Sequence, residues 1–342
     1  MPISTPADLP PLTSLRPLVD RFHEARLVVC GDVVADRFLY GSTTRISREA
    51  PALVVRRETE EIRPGGAGNA IMNAAALGAR VAAVGYIGGD ATGDALRAAL
   101  EEAGVDTRHL LARDDAPTPV KTRVMAGGRH TVRQQILRID ADERWPADDT
   151  WLQRLDAALA AALDDTNALL LSDYGMGSAA PQMIACRAVD LRATGRALVV
   201  DSRCALLQYR GAAVVTPNEE EAEEALGIRP GSLDDQLESA GERLLAELGC
   251  DAALITRGSR GMALFEAGGT ATLLPIHGSD QIADVTGAGD TVIATLTAAL
   301  VVGASMLQAA RLANIAAGLV VMKRGTATVS AGELRAALEA GA

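Results

Sequence analysis

Arg26-Leu-Val-Val-Cys30, halted at Gly31-Asp32, is a short apolar run with a turn at its carboxyl end, the form of a buried parallel strand. Outward from it the pattern alternates. Residues 69–78 make an Ala-rich helical stretch closed by a glycine, 81–87 the next strand, and 92–103 a helix that stops at Gly104. The alternation continues with helices over 151–163, 180–194, 219–226 and 233–248, and strands over 168–171, 197–200, 213–216 and 252–256. Long helices over 291–302 and 306–321 follow. Strands alternating with helices predict an α/β fold whose mostly parallel central sheet is covered on both faces. Two segments break the pattern, 52–58 and 121–139, where Val, Thr and Arg interleave with charges as in an exposed antiparallel ribbon. They predict a small β lid, formed by inserts at about 41–58 and 119–140 in a single domain over 1–342.

The length of 342 residues, at about 150 per domain, fits two domains or one large α/β domain. No Ser/Gly linker or repeat divides the chain. With 33 Lys and Arg against 44 Asp and Glu the formal charge is −11, and only 3% of residues are aromatic. A nucleic-acid partner is therefore not expected, because it requires a basic footprint and stacking platforms. The most apolar stretches, 292–304 and 312–322, are too short and too polar to span a bilayer, and 1–11 has neither the basic nor the apolar part of a signal peptide. Cys30, Cys186, Cys204 and Cys250 form no C-x-x-C pair, and the four histidines are scattered. A cytoplasmic globular protein with free thiols is expected. No G-x-G-x-x-G follows the first strand, which disfavours a nicotinamide dehydrogenase.

Asp284-Val-Thr-Gly-Ala-Gly-Asp290 runs directly into the helical stretch 291–302. A glycine turn feeding a helix N-terminus offers free backbone N–H groups to an anion. Asp290 at that junction could accept a hydroxyl proton while the N–H groups of Gly287, Ala288 and Gly289 stabilise a transferring phosphoryl group. The same residues also fit a tight turn with Asp290 as the N-cap. Pro64-Gly-Gly-Ala-Gly-Asn69 precedes another helix; its glycines permit close approach to a ligand and Asn69 suits sugar hydroxyls, or caps the helix. Asp32 and Asp36 lie where open parallel sheets bind ligands, and equally suit turns. In Thr216-Pro-Asn-Glu-Glu-Glu221, Asn218 and Glu221 form a capping box and could also order water around a magnesium–phosphate pair. Thr256-Arg-Gly-Ser-Arg-Gly261 frees the backbone at another strand end. Lys121, Arg123, Arg133 and Arg138 form a basic cluster in an acidic chain, suited to an anionic, phosphorylated substrate or to a soluble sheet edge.

In their order, P-G-G-A-G-N (64–69), T-P-N-x-x-E (216–221), T-R-G (256–258) and D-V-T-G-A-G-D (284–290) resemble the ribokinase/PfkB family of small-molecule kinases, over about 28–329. Gly31-Asp-Val-Val-Ala-Asp-Arg37, Tyr40-Gly41, Arg45-Ile-Ser-Arg-Glu-Ala-Pro51, Ser172-Asp-Tyr174 and Gly325-Thr-Ala-Thr-Val-Ser330 resemble its heptose 7-phosphate kinase branch, which serves lipopolysaccharide core synthesis. The resemblance implies a three-layer α/β/α ribokinase-like sandwich with a β lid, and a homodimer paired through the lids. It implies ATP-dependent phosphorylation of the C1 hydroxyl of D-glycero-D-manno-heptose 7-phosphate to the 1,7-bisphosphate. Asp290 would be the general base and Gly287, Ala288 and Gly289 the anion hole. Asn218 and Glu221 would serve Mg2+-bound phosphates, Glu221 through water, with Thr256, Gly258 and Asn314 along the nucleotide. Asp32, Asp36, Gly65, Gly66 and Asn69 would hold the sugar, and Lys121 and Arg123 its distal phosphate. Asp284 and Gly325 fall where some relatives bind a monovalent cation such as K+. The H-x-G-H pattern of an adenylyltransferase does not occur, so the kinase half alone is expected. The chain departs from the branch twice: S-D-Y-x-K-G has Met176 for its lysine, and D-P-K reads Asp201-Ser-Arg203. A kinase for a hexose phosphate or pentose, or a non-catalytic sugar or nucleotide binder, are the alternatives.

Overall fold

The computed structural model describes residues 3–4, 9–127, 133–269, 271–278, 284–323 and 325–340. Part of the 119–140 insert, residues 128–132, and most of the 1–8 stretch lie outside the described residues. Among the described residues ten strands form the central sheet, in the order Ile3–Ser4, Ala271–Leu274, Met262–Glu266, Ala252–Thr256, Val214–Val215, Ala197–Ser202, Ala168–Asp173, Arg26–Gly31, Arg80–Gly88 and Asp106–Arg113. All neighbouring pairs are parallel except the two made by Met262–Glu266. The inner strands are apolar on both faces because both are covered. Helices Ala67–Ala76, Ala91–Glu102, Ala288–Val301, Met306–Val320 and Ala331–Ala340 pack one apolar layer. Asp149–Leu163, Pro181–Ala193, Glu219–Leu226 and Leu237–Leu248 pack the other. The fold is thus a three-layer α/β/α sandwich, as expected.

From Arg26–Gly31 the sheet grows through Arg80–Gly88 on one side, and from Ala168–Asp173 through Ala197–Ser202 on the other. The strand order reverses between these two neighbours, and the crevice outside their carboxyl ends is where such sheets hold ligands. Ala288–Val301 is buried continuously from Asp290 to Ala299, which explains its lack of a polar face.

A second sheet has four strands, in the order Leu53–Gly66, Val33–Ile46, Val120–Gly127 and Gln134–Ala141. Its first two strands run antiparallel and its middle pair is parallel. The first ribbon is far longer than the 41–58 expected. It begins at Val33, immediately beyond Asp32, and returns at Gly66. Val33, Val34 and Ala35 are buried, so the start of this ribbon lacks the interleaved charges by which the lid segments stood out. The strands at Asp106–Arg113, Met262–Glu266 and Ala271–Leu274 and the helix Ala331–Ala340 were not anticipated either. No helix among the described residues is long and apolar enough to cross a membrane. All four cysteines are free, Cys30 and Cys250 buried, Cys186 and Cys204 exposed.

Candidate functional site

The sequence leads into the Ala288–Val301 helix through Gly287, its N-cap, in the left-handed region at φ +79. A side chain there would be strained, and its Cβ would lie 2.2 Å from Nδ2 of Asn69. Asp290 is therefore not the cap; it is the third helical residue, and no side chain caps the helix. Its Oδ2 accepts from Asn69 Nδ2 at 2.8 Å and its Oδ1 from the Tyr174 hydroxyl at 3.0 Å. Burial pushes the Asp290 carboxyl up to about 6, against the opposing influence of Asn69, Tyr174 and Arg203. Asn69 is equally not a cap, since Gly66 precedes its helix. Its Oδ1 accepts from Asn73 Nδ2 at 3.2 Å, and Asn73 Oδ1 accepts from Thr291 at 2.9 Å. Two helices are thereby tied together beneath the carboxylate.

Asp290 lies in a cleft of about 360 Å3 at the carboxyl ends of the central strands. Gly66, Asn69, Gly287 and Gly289 line it, together with Tyr174, Asp201, Arg203, Thr216, Asn218, Glu221 and Thr256. Asp36, Lys121, Arg123 and Arg138 reach in from the small sheet. Asn218 and Glu221 make the full capping box: Glu221 N–H donates to Asn218 Oδ1 at 2.8 Å and Asn218 N–H to Glu221 Oε2 at 2.9 Å. Both also face the cleft, so the capping geometry leaves their second use open. Burial raises the Glu221 carboxyl, and burial together with Glu221 and Asp290 raises that of Asp201. These are oxygen donors of the kind a hard divalent cation takes. Among the described residues no cluster of three or more His, Cys, Asp or Glu is arranged to hold a metal outright.

Next to the cleft, and sharing Thr256, Val285 and Gly289 with it, is a more apolar slot of about 220 Å3. Gly258, Ala288, Asn314, Met262, Ile276, His277 and Val292 line it. Asn314 Nδ2 donates to the Pro275 carbonyl at 2.6 Å. On the other side, a larger cavity of about 840 Å3 under the small sheet contains Arg63, Arg123, Asp284 and Gly325.

Several expectations change. Asp32 does not line the cleft. Its fully buried carboxylate accepts three backbone N–H groups, from Tyr174 at 2.9 Å, Met176 at 3.0 Å and Ser178 at 2.8 Å, and so anchors the 174–178 loop instead of a sugar. Gly65 is also outside the cleft lining; a Cβ there would meet Asp36 Oδ2 at 2.6 Å, so its role is to make room for that carboxylate. Asp36 faces the cleft, paired with Arg123 at 2.5 Å. The Asn69 amide is committed to Asp290 and Asn73. Asp284 accepts backbone N–H groups from Thr286 at 2.9 Å and Gly325 at 3.0 Å, and Gly325 meets it with its N–H. Met176 packs its side chain into the core beside Trp145 and Met183. Arg203 does line the cleft, its guanidinium 4.3 Å from the Tyr174 ring centre. Of the cleft residues, Asp201, Thr216, Tyr174 and Thr286 were given no role by sequence reasoning. Asp201 and Thr216 were detectable as polar residues ending apolar strands.

A buried carboxylate on the first turn of a helix, beside the glycine N–H groups of Gly287 and Gly289, an apolar slot and a cationic rim, defines a small-molecule phosphotransferase of the α/β/α class; the Ala288 N–H between them donates to the Val285 carbonyl at 3.2 Å. The profile of the pfkB family of carbohydrate kinases matches residues 24–331, and the chain belongs to that family. It is a sugar kinase. It is 44% identical over 320 residues to the bifunctional protein HldE of Pseudomonas paraeruginosa, covering 93% of this chain and 65% of the relative. With HldE of Chromohalobacter salexigens the identity is 44% over 317 residues, covering 92% and 64%. The chain thus spans just under two thirds of the length of these relatives. Among solved structures it resembles Arabidopsis thaliana ribokinase complexed with ribose and ATP, with TM-score 0.69, 22% identity and coverage of 92% and 98%. It also resembles Escherichia coli phosphofructokinase-2 in complex with fructose-6-phosphate, with TM-score 0.73, 16% identity and the same coverage. These likenesses establish the fold.

Proposed function

We propose that this kinase transfers the γ-phosphoryl group of ATP to the C1 hydroxyl of a phosphorylated sugar, D-glycero-D-manno-heptose 7-phosphate, in one domain whose four-stranded sheet acts as a lid. The observation that carries this reading is the cleft itself: Asp290, held by two donors beside an N–H-rich helix start, faces Lys121, Arg123 and Arg138 of the small sheet. The choice of heptose rests on the resemblance of the 31–51 and 325–330 stretches and on the identity to the HldE proteins.

Asp290 takes the hydroxyl proton as the sugar oxygen attacks phosphorus, and a pKa of about 6 keeps it ionised at neutral pH. The N–H groups of Gly287 and Gly289, which line the cleft, stabilise charge on the transferring group; that of Ala288 donates to the Val285 carbonyl at 3.2 Å and joins them only by leaving it. Gly66, Asn69 and Asp36 shape the sugar subsite, and Lys121, Arg123 and Arg138 neutralise its distal phosphate. The slot of Thr256, Gly258 and Asn314 takes the nucleotide. Asn218, Glu221 and Asp201 fit a magnesium ion that keeps part of its water, and when bound it neutralises phosphate charge. A monovalent cation beside Asp284 and Gly325 belongs to this reading only if it displaces the N–H groups now held there. Ile46, Leu53, Ile136, Leu137 and Ile139 expose apolar surface on the small sheet, which supports pairing of two copies through the lids.

A coupled ADP-release assay over heptose 7-phosphate, hexose phosphates and ribose tests the substrate. Turnover of heptose 7-phosphate is expected; strong turnover of ribose with none of the heptose phosphate overturns the assignment. Asp290→Asn is expected to abolish turnover while nucleotide still binds, and parental turnover would remove Asp290 as the base.

A further inference from the structure

Tyr174 enters the scheme above only as one of the two donors to Asp290, yet it also lies beside Arg203 and Lys121 of the cleft. It follows the strand Ala168–Asp173 directly, and its N–H donates to the buried Asp32. Asp173 then seats the neighbouring segment. Its Oδ1 accepts from Gly175 N–H at 2.8 Å, its Oδ2 from Ser202 at 2.6 Å and Tyr209 at 2.8 Å, and its carbonyl from Arg203 N–H at 3.0 Å. Two buried aspartates therefore fix Tyr174 and Arg203 side by side. From that seat the Tyr174 hydroxyl donates to Asp290 at 3.0 Å. The Arg203 guanidinium lies 4.3 Å from its ring centre, and Lys121 Nζ of the small sheet 5.7 Å from it.

We propose that Tyr174 is a positioning residue for phosphoryl transfer, its hydroxyl orienting the Asp290 carboxylate and its ring seating Arg203 and the lid's Lys121 against the reacting centre. The inference rests on Asp290 being the base. A carboxylate held by Asn69 alone can rotate about its last torsion. Donors on both oxygens define its plane and leave the remaining lone pairs towards the cleft, which is the orientation a proton acceptor needs. The donor is a durable one: burial, and then Asp290, push the phenol well above its ordinary value, so it stays protonated throughout the working range. The ring also gives the lid a contact that depends on its position, since Lys121 comes from Val120–Gly127 and Tyr174 from the main sheet.

The test is the pH–rate profile of Tyr174→Phe, which keeps the ring and removes only the hydroxyl. The groups facing Asp290 are Asn69 from the Ala67–Ala76 helix, Asp36 from the small sheet, Tyr174 itself, and Asp201 and Arg203 from the next strand end. All but the hydroxyl are unchanged in the variant. Loss of a donor to the ionised form raises the base's pKa. The plateau kcat is expected to fall about tenfold, the acidic limb to move up by roughly one pH unit, and both KM values to stay within about twofold. Unfolding temperature, measured alongside, reports any loss of fold. A merely structural role would lower the plateau or the unfolding temperature and leave the limb in place, and that result overturns the inference. Asp290→Asn separates the two readings: if it turns over like the parent, the base assignment fails; if it is inactive while Tyr174→Phe retains the parental limb, only the role of Tyr174 fails.

Discussion

At the scale of single residues, the pKa of Asp290 has two consequences. As a base it must be ionised, so kcat/KM is expected to fall tenfold per pH unit below about 6, as a pH profile with saturating magnesium would show. For stability the sign is opposite. The folded protein holds this proton more tightly than the unfolded chain, so the contribution of Asp290 to stability declines as pH rises from the ordinary aspartate range through about 6. The site accepts that cost because an ionised, desolvated carboxylate is what the chemistry uses. Gly287 shows a second local constraint. Gly287→Ala puts a Cβ at φ +79 and into Asn69, and is expected to cost about 1–2 kcal/mol in strain and to lower kcat at least about tenfold by displacing Asn69 from Asp290. Denaturant midpoints and initial rates on the same preparation measure both effects.

At the scale of elements, buried aspartates perform backbone work that motif reading had assigned to ligands. Asp32 satisfies three N–H groups of one loop with its two accepting oxygens. Asp32→Asn turns an amide N–H2 towards these donors. It is expected to destabilise the protein by about 2–4 kcal/mol, seen as a lower urea midpoint at constant m. A unchanged midpoint would show that the loop is held by other contacts. Arg113 plays a comparable part at the far edge of the sheet. Its guanidinium, fully buried, lies 5.0, 5.5 and 5.1 Å from the rings of Tyr86, Trp145 and Trp151 and pairs with Asp115. Because these are the only two tryptophans of the chain, Arg113→Ala is expected to shift the intrinsic fluorescence as well as cost about 2–4 kcal/mol. The helix Glu219–Leu226 and the strand Ala252–Thr256 coincide with the bounds read from sequence, because a capping box and a flanking glycine are local signals. The hairpin of Met262–Glu266 and Ala271–Leu274 did not stand out, since its apolar residues are buried on both faces and show no alternation.

At the scale of the molecule, the net charge of −11 conceals a cleft rimmed by Lys121, Arg123, Arg138 and Arg203. Screening of that rim predicts that KM for a sugar phosphate rises severalfold between ~50 mM and ~500 mM salt while KM for an uncharged sugar stays nearly constant. Equal salt dependence for both would place the distal phosphate elsewhere. The layered α/β architecture, the glycine turn ahead of Asp290 and the capping box at Asn218 were determined by the sequence alone, because each depends on periodicity or on neighbours within a few positions. The partners of Asp290 were decided only by the tertiary structure. Asn69 and Tyr174 are 221 and 116 residues away in the chain; Tyr174 follows a central strand, while Asn69 follows the small-sheet ribbon that returns beside Asp32 at the end of the neighbouring central strand, where the sheet reverses its order. The same holds for Asp32, whose sequence position suits a sugar ligand but whose lone pairs are taken by a loop that folds back from residue 174. Sequence spacing reveals which residues can carry the chemistry; long-range packing decides which of their donors and acceptors remain free to do so.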